Sequence, residues 1–77
     1  MNNERRKRLQ EDVLPLIATA RAHLEEISSD EANAVANLPD GISESERGQA
    51  MQEVAYALDE AVTSLEELES ELERCIE

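Results

Sequence analysis

The sequence predicts an all-α protein: an antiparallel two-helix hairpin of coiled-coil type that associates into a four-helix bundle. Charged residues make up 34% of the chain and aromatic residues only 1%, a profile typical of long helices. Apolar residues repeat at heptad spacing through the second half. Both glycines and one of the two prolines fall within residues 37–48, with helical patterning on either side. The pattern therefore predicts a helix, a bend and a second helix.

The 77 residues are expected to form one domain with a marginal core. A chain of this length buries only roughly 60% of its unfolded surface. Two helices rarely shield a long apolar stripe completely, so the expected partner is a second copy of the chain, in a homo-oligomer that is most simply a dimer.

The net charge of −12 is unevenly distributed. Residues 1–8 carry four basic groups and one acid, whereas the remainder carries three basic groups and eighteen acids. A surface of this sign repels the phosphates of nucleic acids, so we expect no direct binding of DNA or RNA. A basic surface on another protein is the expected heterologous partner.

Cysteine usage and hydropathy indicate a cytoplasmic protein. Cys75 is the only cysteine and cannot form an internal disulfide, which favours a reducing compartment. No long apolar run follows the basic cluster Arg5-Arg6-Lys7-Arg8, so we expect no signal peptide, no transmembrane span and no membrane partner.

The first helix is predicted over about residues 3–37, with Asn2 or Asn3 as its cap. Pro15 removes one backbone hydrogen bond and crowds the carbonyl of Glu11, which predicts a kink. The alternative is a separate short helix ending near Leu14. The apolar stripe crosses Pro15 without a change of phase, and this favours the kink. The stripe consists of Leu9, Val13, Leu16, Ala20, Leu24, Ile27, Ala34 and Leu38.

The bend is predicted over residues 38–43. Pro39 restricts the preceding residue to non-helical dihedrals, and Asp40-Gly41 is a turn pair. Ser43 and Glu46 have the spacing of a capping box, which predicts Ser43 as the N-cap of a second helix over about 44–76. Gly48 lies inside that helix and would permit a close approach of the incoming chain near Leu38-Pro39.

The second helix has a strict heptad repeat. Its apolar residues alternate at spacings of three and four, which predicts the seam of a coiled coil and of the oligomer. The predicted seam consists of Met51, Val54, Leu58, Ala61, Leu65, Leu68, Leu72 and, near the end, Cys75.

An acidic run near the C-terminus is the candidate partner-binding surface. It consists, with one aromatic residue, of Tyr56, Glu66, Glu67, Glu69, Glu71 and Glu73. The carboxylates could imitate a phosphate backbone and occupy a nucleic-acid site on another protein; the alternative is a solvated face that maintains solubility. Tyr56 could anchor such an interface or pack against a second hairpin.

No arrangement of residues predicts an enzyme. The sequence has no nucleophile–base pair, metal cluster or glycine-rich loop, so we expect no catalytic residues, metal or cofactor. His23 is the only histidine, and the favoured interpretation is a polar residue at the seam edge that sets register rather than a metal ligand. Cys75 is interpreted as a small apolar seam residue rather than a redox thiol.

A more specific pattern lies at the bend. It reads Asn37-Leu38-Pro39-Asp40-Gly41-Ile42, then Ser45-Glu46-Arg47-Gly48-Gln49-Ala50-Met51, and later Leu58-Asp59-Glu60-Ala61 and Leu65-Glu66-Glu67-Leu68. With the basic start from Asn3 to Arg8, it resembles a group of small uncharacterised helical-hairpin proteins of Gram-positive bacteria, their phages and mobile elements. Pro15 departs from that group. The resemblance implies a phage or prophage setting but no activity.

These observations predict a non-enzymatic acidic interaction protein. In the setting that the resemblance implies, it would act in the host cytoplasm by occupying a basic surface of a host defence complex, for example as an anti-CRISPR protein or DNA mimic. The alternative function is that of a self-assembling structural coiled coil, such as a scaffolding component. This alternative predicts that the apolar flanks Leu14, Ile17, Val62 and Ile76 are buried between copies.

Overall fold

The computed structural model describes residues 1–77 and contains helices and no strands, which confirms the predicted all-α class. The molecule measures 58 × 15 × 14 Å, the elongated shape expected of a hairpin. Its elements are α1 (Asn3–Arg8), a π-helical turn (Leu9–Val13), α2 (Leu14–Ala36), α3 (Asp40–Ser43) and α4 (Glu46–Ile76). No helix combines the length and apolar composition needed to cross a membrane.

The two long helices, α2 and α4, pack along each other. The residues that face the opposite helix, which we call the seam, alternate at spacings of three and four on both helices, as in a coiled coil. On α2 they are Leu14, Ile17, Arg21, Leu24, Ser28, Glu31 and Val35; on α4 they are Met51, Ala55, Leu58, Val62, Leu65, Glu69, Leu72 and Ile76. Val62 is the only buried apolar residue, and it is still 9% exposed.

This seam follows a different stripe of α4 from the one that the heptad pattern indicated. Every second position is shared, but Ala55, Val62 and Glu69 face α2 where Val54, Ala61 and Leu68 were expected. On the first helix, Val13, Leu16, Ala20 and Ile27 likewise lie beside the seam and are exposed. The helices carry apolar residues at three positions per heptad, and two helices alone use only two of them.

The π-helical turn accounts for the shift in the first helix. The N–H of Leu14 donates to the carbonyl of Leu9, five residues earlier. Pro15 has no N–H and its ring crowds the carbonyl of Glu11, and the wider turn relieves this crowding without ending the helical path. The extra residue turns Leu14 toward the seam in place of Val13, so the expectation that the stripe keeps its phase across Pro15 is wrong.

The bend contains a helical turn rather than the expected Asp40-Gly41 turn pair. Pro39 is extended (φ −60°, ψ 149°) and starts α3, and neither glycine has a positive φ. Ser43 completes α3, because its N–H donates to the Pro39 carbonyl at 2.8 Å. The predicted Ser43 cap is therefore wrong, and Ser45 caps α4 instead.

Ser45 makes two hydrogen bonds at the start of α4. Its Oγ accepts from the N–H of Gly48 at 3.2 Å and donates to the carbonyl of Ile42 at 2.5 Å. The first bond satisfies a free N–H of the helix start, and the second ties α4 to α3. Ser45 therefore joins the two helices at the bend.

Gly48 is buried beneath α3. A Cβ at this position would lie 2.7 Å from the Ser43 carbonyl oxygen and 2.8 Å from the Ser43 Cα, and closer still to the carbonyl oxygen of Ile42. The predicted close approach at Gly48 therefore exists, but it is made by Ile42 and Ser43 rather than by Leu38-Pro39. The amide of Gln52 adds bonds to the Ser43 carbonyl (3.0 Å) and Oγ (3.2 Å).

Candidate interaction surfaces

A charged pair lies within the seam. Arg21 Nε donates to Glu69 Oε1 at 2.7 Å, and Arg21 Nη1 donates to Glu25 Oε1 at 2.8 Å. The pKa of Arg21 is raised above its ordinary value. The main cause is the hydrogen bond to Glu69, and the second is the hydrogen bond to Glu25. Of the five glutamates predicted to contact a partner, Glu69 is thus placed in the seam, with its side chain only 16% exposed.

The other four predicted glutamates lie on the outer surface of α4. We define the acidic surface as Asp59, Glu60, Glu66, Glu67, Glu71 and Glu73, all of them exposed. The ion pairs of the chain use Asp12, Glu25 and Glu69, so no carboxylate of the acidic surface is neutralised by a pair. Arg74 is the one cation that lines the same surface depression as Glu66, Glu67 and Glu71. The acidic surface therefore presents dense negative charge to solvent.

Tyr56 lies at the edge of this surface and is 65% exposed. It lines a shallow depression with Asp59, Glu60 and Glu67. The Glu60 carboxylate raises the pKa of the Tyr56 phenol, as acceptor for its hydrogen and as a neighbouring negative charge. The Tyr56 ring therefore faces solvent beside carboxylates and has no packing role in the single chain.

One side of the hairpin is apolar. The heptad analysis assigned residues of this side to the seam and assigned Leu14, Ile17, Val62 and Ile76 to a contact between copies, but these four lie in the seam of the single chain. The residues that immediately precede seam positions share one side of the hairpin, as Val13 and Cys75 show by lining one groove. The residues that follow seam positions share the opposite side, where Glu25, Ala32 and Asp59 line another groove. We define the apolar face as apolar residues of that side, namely Val13, Leu16, Ala20, Ile27, Ala34, Val54, Ala57, Ala61, Leu68 and Cys75. Four polar residues also precede seam positions and lie among them, namely His23, Asp30, Ser64 and Glu71.

The large residues of the apolar face are exposed. Leu16 is 71% exposed, Ile27 54% and Val54 51%. Val13 and Leu68 are less exposed but still open to solvent. On the opposite side, Tyr56 is the only large hydrophobic residue with comparable exposure. The sequence does contain a signal for this face, because apolar residues occupy three of every seven positions and the seam between two helices needs only two of those positions.

The apolar face ends in a groove at the open end of the hairpin, where the N- and C-termini meet. The groove has a volume of about 390 Å³ and is lined by Met1, Arg5, Arg8, Leu9, Asp12, Val13, Leu72 and Cys75. Its floor is apolar and two arginines form part of its rim. The basic N-terminal cluster thus lies beside the end of the apolar face.

His23 and Cys75 are both exposed. His23 precedes the seam residue Leu24 and so lies at the border of the apolar face, while Cys75 is a free thiol at its end. No three His, Cys, Asp or Glu side chains come together in a way that could hold a metal ion. The candidate sites of this molecule are therefore surfaces.

Comparison of the chain with known protein families, characterised proteins and solved structures finds no match.

Proposed function

We propose that this chain is a non-enzymatic interaction protein whose acidic surface occupies a basic, nucleic-acid-binding surface of another protein. The observation that carries the proposal is the set of six exposed carboxylates on α4 that form no ion pair within the chain. Unpaired carboxylates retain their attraction for cationic side chains, whereas paired ones do not.

The geometry of α4 supports this proposal. The helix is continuous from Glu46 to Ile76, so its carboxylates hold constant positions relative to one another along a rigid rod. A regular row of negative charge on a narrow rod can enter a channel built for a nucleic-acid backbone. Tyr56 supplies an aromatic anchor at one end of the row.

The likeness to phage and mobile-element proteins suggests the class of target. A defence nuclease such as a CRISPR effector has a positively charged channel that holds its nucleic acids. An acidic rod bound in this channel would exclude the nucleic acid without any chemistry. The proposed outcome is inhibition of the nuclease.

The experiment is a cleavage assay with purified CRISPR effector complexes of Gram-positive bacteria, a labelled DNA target and increasing amounts of this chain. We expect inhibition near a one-to-one ratio, and weaker inhibition at higher salt because salt screens the charges. A variant with Glu66, Glu67, Glu71 and Glu73 all changed to Gln should lose inhibition.

The matched control changes four other exposed acids to Gln, namely Glu4, Glu11, Glu26 and Glu44. This variant has the same net charge as the test variant but retains the acidic surface, so it should still inhibit. Equal inhibition by both variants would reject the acidic surface. Cleavage unaffected by the unmodified chain in molar excess would reject this class of target.

A second candidate function is self-assembly as a structural coiled coil, and the exposed apolar face favours it. Monomeric soluble proteins rarely leave a contiguous apolar surface of this kind uncovered. The two candidates use different residues and are compatible, since the acidic surface extends along the outer side of α4 and only Glu71, which precedes the seam residue Leu72, borders the apolar face.

A further inference from the structure

We propose that a second copy of this chain covers the apolar face, with the two hairpins aligned so that their open ends lie together and each α2 packs on the α4 of the other copy. The product is a four-helix bundle with a twofold axis parallel to the long axis of the hairpin. This inference specifies the face and the arrangement for the self-assembly named above, and it rests on that candidate function.

The first argument is the absence of a core in the single chain. Val62 is the only buried apolar residue, whereas five large residues of the apolar face remain open to water. A chain of this size needs association or another reinforcement to be stable. In helical bundles, an apolar third position in each heptad serves the contact with a further pair of helices.

The second argument is that the apolar face complements itself in shape. Residues that precede a touching seam pair lie on the same side of the hairpin, two residues or about 3 Å apart along its axis, because the helices run antiparallel. Arg21 and Glu69 are hydrogen-bonded, so Ala20 and Leu68 form such a pair. Each of these pairs combines one small with one large side chain.

Two further pairs follow the same rule. Ser28 and Val62 line one groove, so the residues before them, Ile27 and Ala61, form the second pair. One heptad further on, Ala34 and Val54 form the third. When a second hairpin is placed with its open end on the open end of the first, Leu68 lies across from Ala20 of the other copy, and Ile27 across from Ala61. Large side chains then meet small ones in these pairs, as close packing requires.

The third argument is charge, and it selects the aligned arrangement. Residues 46–77 carry ten acids and two basic groups, whereas residues 1–45 carry nine acids and five basic groups. A hairpin placed head to tail would pack one α4 against the other, with Glu53, Glu60 and Glu67 of both copies along one border. The aligned arrangement instead puts each α4 beside the helix of the other copy that carries the basic cluster at its start, which lowers the repulsion.

The first test is the mass in solution, measured by light scattering at concentrations up to roughly 100 μM, where protein associations of moderate affinity are populated. We expect twice the chain mass of 8.6 kDa. A monomer throughout this range, or a stable trimer or larger assembly, would overturn the proposal. Neither result would affect the nuclease assay, because that assay reads the acidic surface.

The second test distinguishes the two arrangements. A spin label at the bend, introduced as Gly41→Cys in a Cys75→Ala background, reports the distance between the two bends. Gly41 is exposed, and a Cβ added at this position would meet no atom within 4 Å, so the label does not disturb the fold. In the aligned dimer the labels lie less than about 25 Å apart, because packed helices are roughly 10 Å apart. A distance approaching the 58 Å length of the hairpin would overturn the aligned arrangement.

The third test identifies the face. Ile27→Lys places a charge on the apolar face, and we expect it to raise the dimer dissociation constant at least about tenfold. Ala22→Lys is the control, because Ala22 follows a seam residue and lies exposed on the opposite side of the same helix. Equal dimerisation of the two variants would overturn the assignment. The label distance does not depend on these variants, so a failure of Ile27→Lys to fold still leaves the arrangement tested.

Discussion

The two ends of the hairpin are built differently. At the bend, Gly48 is buried against the backbone of α3, and the side chains of Ser45 and Gln52 connect α3 to α4. At the open end, no residue from Met1 to Val13 is buried, the helix passes through a π turn, and an apolar groove lies open. The bend is completed by contacts of the chain with itself, whereas the open end is not.

This contrast shows which end of the hairpin is held by contacts within the chain and which end leaves apolar side chains uncovered. The bend sets which side of α4 begins the seam, because only the side that carries Gly48 can lie beneath α3. The open end contributes apolar side chains that the chain does not cover. Substitutions at the bend should therefore affect the stability of the hairpin itself, and substitutions at the open end should affect it little.

The largest expected effect is that of Gly48→Ala. The added methyl group would overlap the backbone of Ile42 and Ser43, so α3 must move, and overpacking of this kind costs about 1–3 kcal/mol. We expect the free energy of unfolding, measured by urea denaturation at fixed protein concentration, to fall by about 2 kcal/mol. Gly41→Ala at the same bend meets open space and should not lower it. A tolerated Gly48→Ala would show that the bend is not tightly packed.

Removal of a helix cap should likewise lower the stability more at the bend than at the open end. Ser45 caps α4 and Asn2 caps α1, where its Oδ1 accepts from the N–H of Arg5 at 2.8 Å. Ser45→Ala should cost about 1 kcal/mol. Asn2→Ala should cost less, because α1 can fray while α2 and α4 stay packed. Thermal unfolding followed by circular dichroism measures both, and an equal loss would contradict the difference between the ends.

A smaller effect is expected from the charged pair in the seam. Glu69→Gln weakens the bond to Arg21, so the urea midpoint should fall, whereas Glu66→Gln removes a carboxylate that has no ion pair. The two substitutions change the net charge equally and lie on the same helix. A fall of similar size for Glu66→Gln would mean that net charge, rather than the seam pair, controls the midpoint.

The smallest effect is expected at Pro15. A proline inside a regular α-helix costs about 3 kcal/mol relative to alanine, but the π turn has already widened the helix where the ring would clash. Pro15→Ala should therefore change the free energy of unfolding by less than about 1 kcal/mol. A gain of about 3 kcal/mol in urea denaturation would show that the π turn does not relieve the clash.

Much of the fold was predictable from local chemistry. The runs of helix-forming residues and the heptad repeat predicted an all-helical chain, and the proline and glycines between residues 37 and 48 predicted where its direction changes. The cap of α4 was predicted at Ser43, whereas the structure has it at Ser45, because both serines precede a glutamate in the same run. Local spacing alone does not show that Ser43 is already used by the short helix α3.

The candidate surfaces were predictable only in part. The acidic residues of α4 were identified, but Glu69 was grouped with them because Glu67 and Glu71 lie two residues away on either side. The long-range bond to Arg21, 48 residues earlier in the chain, distinguishes it. The residues of the apolar face on α4 were assigned to the seam, and Ala55, Val62 and Ile76 were taken as its flanks, because both stripes share every second position.

The sequence by itself determined the helical class, the place of the bend, and the separation of a basic start from an acidic remainder. These features depend on residue type and on spacing within one helix. The tertiary structure decided which stripe of α4 faces α2, because Met51, Leu58, Leu65 and Leu72 belong equally to two overlapping stripes. The position of Gly48 under α3, the bond between Arg21 and Glu69, and the extra residue of the π turn select Ala55 and Val62 for the seam. Val54 and Leu68 are thereby left exposed, and Ala61 lies half-buried beside the seam.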